Sequence, residues 1–252
     1  GGKVSVWADE ITRYHGNISA RGGTQTGNGG FVEVSGKGWL DFNGLVDTRA
    51  PTGNAGTLLL DPTNIFIALN QGNATAAGMT GTDTSANASG NPFTASGAIQ
   101  DSLLTTGTLT TALAGANVVV TTTNAAGSGA SNITVVDPIV WASTRTLTLT
   151  AANDIAINAG ITTGAAGSAL ILNSAGNVTQ TAVIAGAGGL TQQGTGTVTL
   201  SQANTYTGLT TVSAGTLKLG AAGGATNTPL GTTAAGTTVA SGATLDLNGF
   251  TL

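Results

Sequence analysis

Short stretches of alternating apolar and polar residues recur along this 252-residue chain, and a polar corner containing Asn follows each of them. The first stretch is Leu58–Leu60 with Asn64, and the pattern returns at Leu147–Leu149 with Asn153. Alternation of this kind is typical of a strand with one buried face. A unit of this size cannot bury its own apolar face, so it must stack on neighbouring units.

Two further copies of the unit are predicted, at Leu170–Leu172 with Asn177 and at Val198–Leu200 with Asn204. Stacking would align the apolar residues into buried ladders, and it would align the corner Asn residues into a partial amide ladder. The predicted ladder residues are Leu58, Leu60, Asn64, Leu147, Leu149, Asn153, Leu170, Leu172, Asn177, Val198, Leu200 and Asn204.

The spacing of the recurring strand predicts the fold. Its leading apolar residues are predicted to be Leu147, Leu170, Val198, Leu217 and Leu245, with a mean repeat of about 24.5 residues. That length fits one turn of a right-handed parallel β-helix (β-solenoid), and corners of different length cost little. A β-sandwich is the competing all-β fold, but it would need tight hairpin signals between strands, and Asn-Gly pairs are few.

Three regions are predicted along the chain. Residues 1–68 and 118–252 are assigned to coils of the β-helix, and residues 69–117 to an extruded loop with a short helical insertion. Residues 70–98 are poor in β-branched apolar side chains, which predicts a long loop that leaves the coil. Because loops on a rigid scaffold carry function, the 69–98 loop is the predicted surface for specific contact.

The short helix is predicted over Leu109–Ala114. Thr108 is its predicted N-cap and Gly115 its predicted C-terminal stop. A helix at this point would cover one face of the stack.

Composition narrows the class of protein. The chain has 40 Gly, 46 Thr and no Cys, and charged residues make up 7% of it against about 25% in an average globular domain. The surface must therefore be hydrated by Thr, Ser, Asn and backbone. With a net charge of −4 the chain has no basic patch for nucleic acid, and it has no apolar run of about 20 residues to span a membrane.

No constellation of residues predicts catalysis, a cofactor or a metal site. His15 is the single histidine, and without a second His or any Cys it is expected to be a surface residue. Asp9 and Glu10 are adjacent and point to opposite faces of a strand, which argues against a carboxylate pair. We therefore expect a protein that is not an enzyme.

The three tryptophans could form a carbohydrate platform if they aligned on one outer face. Trp7, Trp39 and Trp141 are far apart in the sequence, so core packing or single exposure is the favoured interpretation.

Residues 188–217 resemble the autotransporter-associated β-strand repeat. The resemblance is carried by Gly194 and Gly196 before a strand, by the corner Asn204-Thr205-Tyr206-Thr207-Gly208, and by Ala214-Gly215-Thr216-Leu217 in the next strand. Gln192 or Gln193 stands where the repeat usually has a basic residue.

Residues 29–67 resemble filamentous-haemagglutinin-like exoproteins of two-partner secretion. The resemblance is carried by Gly29–Lys37, by Val46-Asp47 and Ala50-Pro51, and by Gly56–Pro62. It implies a large bacterial exoprotein that crosses the outer membrane unfolded, with the help of a secretion partner in that membrane, and folds outside as a β-helix. Neither end of the sequence looks like a cap, so we expect a segment of a longer secreted polypeptide.

The expected function is adhesion, or service as an extracellular stalk, at the bacterial surface. The expected partners are a host or neighbouring-cell surface (protein or glycan), or copies of the protein itself. Two alternatives remain open at this point, a self-assembling filament subunit and a polysaccharide-active β-helix enzyme. The enzyme would need Asp, Lys and Arg clustered on one outer face, and the three Lys and four Arg are spread along the sequence.

Overall fold

The computed structural model describes residues 1–80, 101–123 and 130–252. Within these ranges the backbone winds into a right-handed parallel β-helix, which confirms the predicted fold class. One turn of the coil, here called a rung, contributes strands to as many as three sides. Strands β1–β26 and helices α1 and α2 are numbered in chain order.

Nine parallel strands, stacked one per rung, form the first side. They are β1 (Lys3–Ala8), β4 (Phe31–Gly36), β7 (Thr57–Asp61), β10 (Asn117–Thr121), β13 (Thr146–Ala151), β16 (Ala169–Ser174), β19 (Gly189–Gln192), β21 (Thr210–Val212) and β25 (Thr237–Val239).

Eight parallel strands form the second side. In stacking order they are β9 (Ser102–Thr105), β8 (Ile65–Ala68), β11 (Ile133–Val135), β14 (Ile155–Ile157), β17 (Asn177–Gln180), β20 (Thr197–Leu200), β22 (Thr216–Leu219) and β26 (Thr244–Asp246). Beyond β9, a separate parallel pair continues this side with β2 (Ile11–Tyr14) and β5 (Trp39–Phe42).

The third side is built from shorter pieces. A parallel pair, a three-stranded sheet and a small antiparallel hairpin lie along it or at its corners. They are β3 (Asn17–Ser19) with β6 (Leu45–Asp47); β12 (Ile139–Val140), β15 (Ile161–Thr163) and β18 (Ile184–Gly186); and β23 (Asn227–Thr228) with β24 (Gly231–Thr232).

After the insertion that follows β8, the chain rejoins the coil at a level that departs from the sequence order of the strands. Helix α1 (Gln71–Ala76) follows β8, and its Ala74 packs with Ala68 and Met79 over Phe66 and Leu103 on the outer face of the second side. Strand β9 then pairs with β8 on the side facing β5, so β9 and β8 both lie between β5 and β11.

Helix α2 (Thr106–Gly115) takes the place of strands on the third side, between β6 and β12. The carbonyl of Gly115 accepts from the backbone N–H of Thr48 at 3.1 Å, and Oγ of Ser143 donates to the carbonyl of Leu113 at 2.6 Å. A helix is about 10 Å wide and stacked strands are about 4.8 Å apart. The helix therefore fills about two levels, which matches the two strands β9 and β8 on the second side.

Two predictions about this region need correction. Residues 101–117 lie inside the coil, as β9 and α2, rather than in an extruded insertion. The helix begins at Thr106 rather than Leu109, because Thr105 is its N-cap and accepts from the N–H of Thr108 at 3.1 Å. Most of the loop predicted over 69–98 lies outside the described residues.

Candidate functional site

The predicted apolar ladder of the first side consists of fully buried side chains in register. Leu58 aligns through Val118 with Leu147 and Leu170, and the residue two positions later in each strand makes a parallel row. The exposed fraction is 0% for Leu58, Leu60, Leu147, Leu149, Leu170 and Leu172. These rows hold the rungs together, because burial of a Leu side chain contributes roughly 1.5–3 kcal/mol.

Val198 and Leu200 are also buried, but they belong to the second side, so their predicted alignment with Leu147 and Leu170 is wrong. Val198 pairs with Val178 and Leu217, and Leu217 pairs with Leu245. The first-side strand of that rung is β19, whose pattern was missed. The repeat on the first side is 23 residues from Leu147 to Leu170 and 20 from Leu170 to Leu190.

A side-chain ladder runs up the corner before the second side. The backbone N–H of Asn132 donates to Oδ1 of Asn64, and that of Asp154 donates to Oδ1 of Asn132, each at 3.0 Å. The N–H of Asn177 then donates to Oδ1 of Asp154 at 2.7 Å. Each side chain thus satisfies a backbone donor one rung away, which stacks the rungs at a corner that has no strand.

Two of the predicted corner residues lie elsewhere. Asn153 stands one position before this ladder, and its side chain donates from Nδ2 to Oδ1 of Asn132 at 3.0 Å. Asn204 lies at the later corner between the second and third sides, so its assignment to the same corner is wrong. Asn132 and Asp154 were missed, although each directly precedes an alternating strand, as Asn64 does.

Asn204 joins three successive rungs from a fully buried position. Its Oδ1 accepts from the N–H of Ile184 at 2.8 Å and from Nε2 of Gln180 at 2.6 Å, both in the preceding rung. Its Nδ2 donates to the carbonyl of Pro229 in the following rung at 2.7 Å. A buried amide that satisfies groups on both sides stabilises one register, because any slip would leave those groups unpaired.

Tyr206, two residues later, fills the interior at the same corner. Its exposed fraction is 0%, and its hydroxyl lies 2.6 Å from Oγ1 of Thr210, which donates to the carbonyl of Leu230 at 3.0 Å. Burial raises the pKa of Tyr206 above its ordinary value. The exposed neighbours Thr205 and Thr207 donate their N–H groups to carbonyls of the preceding rung, at Ile184 and Gly186.

Glycines allow the rungs to approach closely at the corner between the first and second sides of this region. A Cβ at Gly196 would lie 1.7 Å from the carbonyl oxygen of Gly176, and one at Gly215 would lie 2.4 Å from that of Gly196. Gly215 also has a φ of +59°, which favours glycine. The three residues form a stack into which no side chain fits.

Gln180 and Gln192 occupy inward positions where Leu or Ile stands in the neighbouring rungs, and sequence analysis gave neither a structural role. Gln180 accepts from the N–H of Ser201 at 3.0 Å and donates to the carbonyl of Ala182 at 2.7 Å. Gln192 donates to the carbonyls of Gly194 and Gly196. The sequence signal for this role is a polar side chain at a position where the alternation expects an apolar one. It could have identified both residues as hydrogen-bonding partners of the corner backbone.

Charged residues of the first two rungs pair across rungs. Asp41 Oδ2 lies 3.0 Å from Arg13 Nε and 2.8 Å from His15 Nε2, and Lys37 Nζ lies 2.9 Å from Asp9 Oδ1. The sequence separations are 26 to 28 residues, so these charges are close only because the rungs stack. The structure thus brings together acids and bases that are widely spread in the sequence.

Asp47 is held as an anion by two arginines. Arg49 donates to both of its carboxylate oxygens, at 2.9 and 2.6 Å, and Arg21 of the preceding rung lies 3.4 Å away. The side-chain hydrogen bonds from Arg49 lower the pKa of Asp47 to about 2.

The aromatic side chains form no shared outer platform among the described residues. Trp39 and Trp141 are 6% and 3% exposed, while Trp7 is 47% exposed with Lys37 Nζ over its ring, 4.8 Å from the ring centroid. Core packing and single exposure, the favoured interpretation, therefore describe the tryptophans.

Within residues 1–80, 101–123 and 130–252, no group of three His, Cys, Asp or Glu side chains is arranged to hold a metal ion. Neither described helix, of 6 and 10 residues, has the length and apolar character that a membrane span requires.

Comparison with known proteins gives one match. Residues 190–219, which contain Gly196, Asn204, Tyr206 and Gly215, match the family described as the passenger-associated transport repeat. No curated protein and no solved structure matches the chain. The resemblance of 29–67 to two-partner-secretion exoproteins stays a prediction. The match supports an autotransporter-type passenger repeat and so indicates a secreted, surface-displayed passenger domain, structural rather than catalytic in character.

Proposed function

We propose that this chain is part of a surface-displayed passenger that acts in adhesion or as an extracellular stalk. The observation that supports the proposal most directly is the continuous stacking of rungs around the buried rows of the first side, combined with the passenger repeat at 190–219. A coil of this kind is rigid along its axis, and it can serve as a support without a globular active site. Its Thr-rich surface presents a flat, hydrated face.

The described coil has the dimensions of a rod segment. Nine stacked strands at about 4.8 Å per step span about 40 Å along the axis. Because each rung contacts only its neighbours, further rungs would lengthen such a rod without changing its cross-section.

Display on the surface of a bacterium that lacks the protein tests the adhesive function. Cells that display the chain through an autotransporter barrel should bind epithelial or bacterial monolayers more than cells displaying an equal amount of the Leu149→Asp variant. Surface amounts are matched by antibody staining of intact cells. Equal adhesion of the two strains, with the parent chain folded and protease-resistant, would contradict adhesion.

Electron micrographs of the purified chain test the stalk and the filament. Single rods about 40 Å long support the stalk, while fibres that grow with concentration support the self-assembling filament. Depolymerisation of uronate polymers by the chain would favour the polysaccharide-active enzyme instead.

A further inference from the structure

A pocket opens on the outer face of the second side, where β9 meets the pair β2 and β5. The eight-stranded sheet ends at β9, and β5 belongs to a separate sheet. At this join the backbone N–H of Leu40 donates to Oγ of Ser102 at 3.0 Å, so a side chain replaces a carbonyl of the ladder.

The depression at this interruption, called here the junction pocket, has a volume of about 180 Å³. Its principal lining residues are His15, Trp39, Asp41, Asn43, Thr105 and Thr108.

The charges of the junction pocket compensate one another. Asp41 lies between Arg13 and His15, at 3.0 and 2.8 Å. An anionic ligand would be repelled by the carboxylate of Asp41, and a cationic ligand would have to displace Arg13 or His15, with which this carboxylate is already paired. The pocket therefore favours an uncharged ligand.

Hydrogen-bonding groups of both kinds face this space. Oγ1 of Thr108 donates to Oδ1 of Asn43 at 3.3 Å, and Oγ1 of Thr105 donates to Oγ1 of Thr108 at 2.8 Å. Asn43 is exposed, and its Nδ2 makes no hydrogen bond among the described residues. That amide can donate to a ligand, while the Thr hydroxyls and the Asp41 carboxylate can accept. A ligand with several hydroxyl groups matches this mixture.

The remaining wall is apolar and the space is small. Phe42, Leu103 and Trp39 line it, and pockets that bury a drug-sized molecule are roughly 300–1,000 Å³. At about 180 Å³ the pocket fits one ring. A pyranose combines these properties, because it has an apolar C–H face and a rim of hydroxyl groups.

We propose that the junction pocket binds one neutral sugar unit of a glycan. The proposal rests on the adhesive function above, because adhesion to a cell surface would supply the glycan. It assigns to Asn43 the role of hydrogen-bond donor to the sugar and to Trp39 that of the apolar wall.

Saturation-transfer NMR and calorimetry on the purified chain test the ligand class. The probes are methyl glycosides of neutral hexoses and N-acetylhexosamines, with methyl glucuronide and glucosamine as the anionic and cationic members. We expect binding of at least one neutral glycoside and weaker binding of both charged ones. Asn43→Ala should raise its Kd about five- to tenfold, the effect of one lost hydrogen bond.

Two controls keep the result specific to the pocket. Thr108→Val should also weaken binding, while Thr148→Val, an outward position on the first side, should leave the Kd unchanged. Melting temperatures within about 2 °C of the parent show that each variant is folded. Absence of binding by every neutral glycoside, or an Asn43→Ala variant that binds like the parent, would overturn the proposal.

The two proposals can fail separately. Displayed cells that adhere although no glycoside binds would leave adhesion in place and refute the sugar site. Sugar binding that is lost in Asn43→Ala, without any adhesion of displayed cells, would refute the adhesive function and leave the ligand class standing.

Discussion

Oδ1 of Asn204 accepts a hydrogen bond from the backbone N–H of Ile184, one rung earlier, at 2.8 Å. The same side chain donates to Pro229 in the rung that follows. One buried amide thus fixes the relative height of three rungs inside the segment that matches the passenger repeat. Within this segment, Asn204 therefore acts between its own rung and the rungs on either side of it.

Replacement of Asn204 by Ala should destabilise the coil. The change leaves the N–H of Ile184 and the carbonyl of Pro229 buried without this partner, at about 1–3 kcal/mol for each group. Denaturant unfolding monitored by circular dichroism measures the loss. Asn153→Ala is the matched control, because that side chain is exposed and should cost less than about 0.5 kcal/mol. Similar losses in the two variants would contradict the assigned role.

Leu149→Asp should unfold the centre of the first side, whereas Thr148→Asp should not. Leu149 is 0% exposed between Val120 and Leu172, so a carboxylate there would be buried without a partner. We expect a loss of more than about 3 kcal/mol, against less than about 1 kcal/mol for Thr148, which points outward. Equal melting temperatures of the two variants would contradict the assigned inward and outward positions.

Gly196→Ala should disrupt the glycine stack in the repeat. The added Cβ would lie 1.7 Å from the carbonyl oxygen of Gly176, so the two rungs would have to separate. Gly107→Ala, in the first turn of α2, meets no atom within 4 Å and should stabilise by up to about 1 kcal/mol. Thermal melts of both variants compare the two effects, and a Gly196→Ala protein as stable as the parent would contradict the close approach.

Acid should destabilise the coil through Asp47. Its pKa is about 2 in the folded protein against an ordinary value of 3.8. A lowered pKa means that the stabilisation is present above the unfolded value and is lost as the pH falls from about 4 towards 2. Unfolding free energies measured from pH 5 to pH 2 should show this slope, and Asp47→Asn should reduce it.

Arg49→Ala should reduce the same slope, because the hydrogen bonds from Arg49 are the largest cause of the shift. Identical pH profiles for the parent and both variants would show that the pair contributes nothing to acid stability.

The class of fold followed from local alternation. In strands such as β13 and β16, residues of period two place every second side chain in the interior, so the apolar pattern alone predicts a half-buried strand and the need for stacking. The resemblance of 188–217 was equally local, and the family match at 190–219 falls on it. The rung and side to which a strand belongs were harder to predict, because Val198 and Leu170 carry the same local pattern on different sides of the coil.

The third side could not be predicted in the same way. Strands β12, β15 and β18 have only two or three residues, too few for a periodic signal, and their partners lie 22 or 23 residues away. The same holds for the pocket. His15 lies 2.8 Å from Asp41, and both line one space with Thr105 and Thr108, only because separate rungs stack and β9 joins the coil out of sequence order.

Alternation of side chains is a property of neighbouring residues, so the sequence alone predicted many strands of the first two sides, their buried faces and the stacked architecture. Contacts between residues tens of positions apart decided the rest. They set the level at which each strand joins the coil, the insertion of β9 beside β8, the hydrogen bonds by which Asn204 joins three rungs, and the junction pocket. Such contacts compete with alternative registers of similar local energy, and only the packing of the whole coil selects among them.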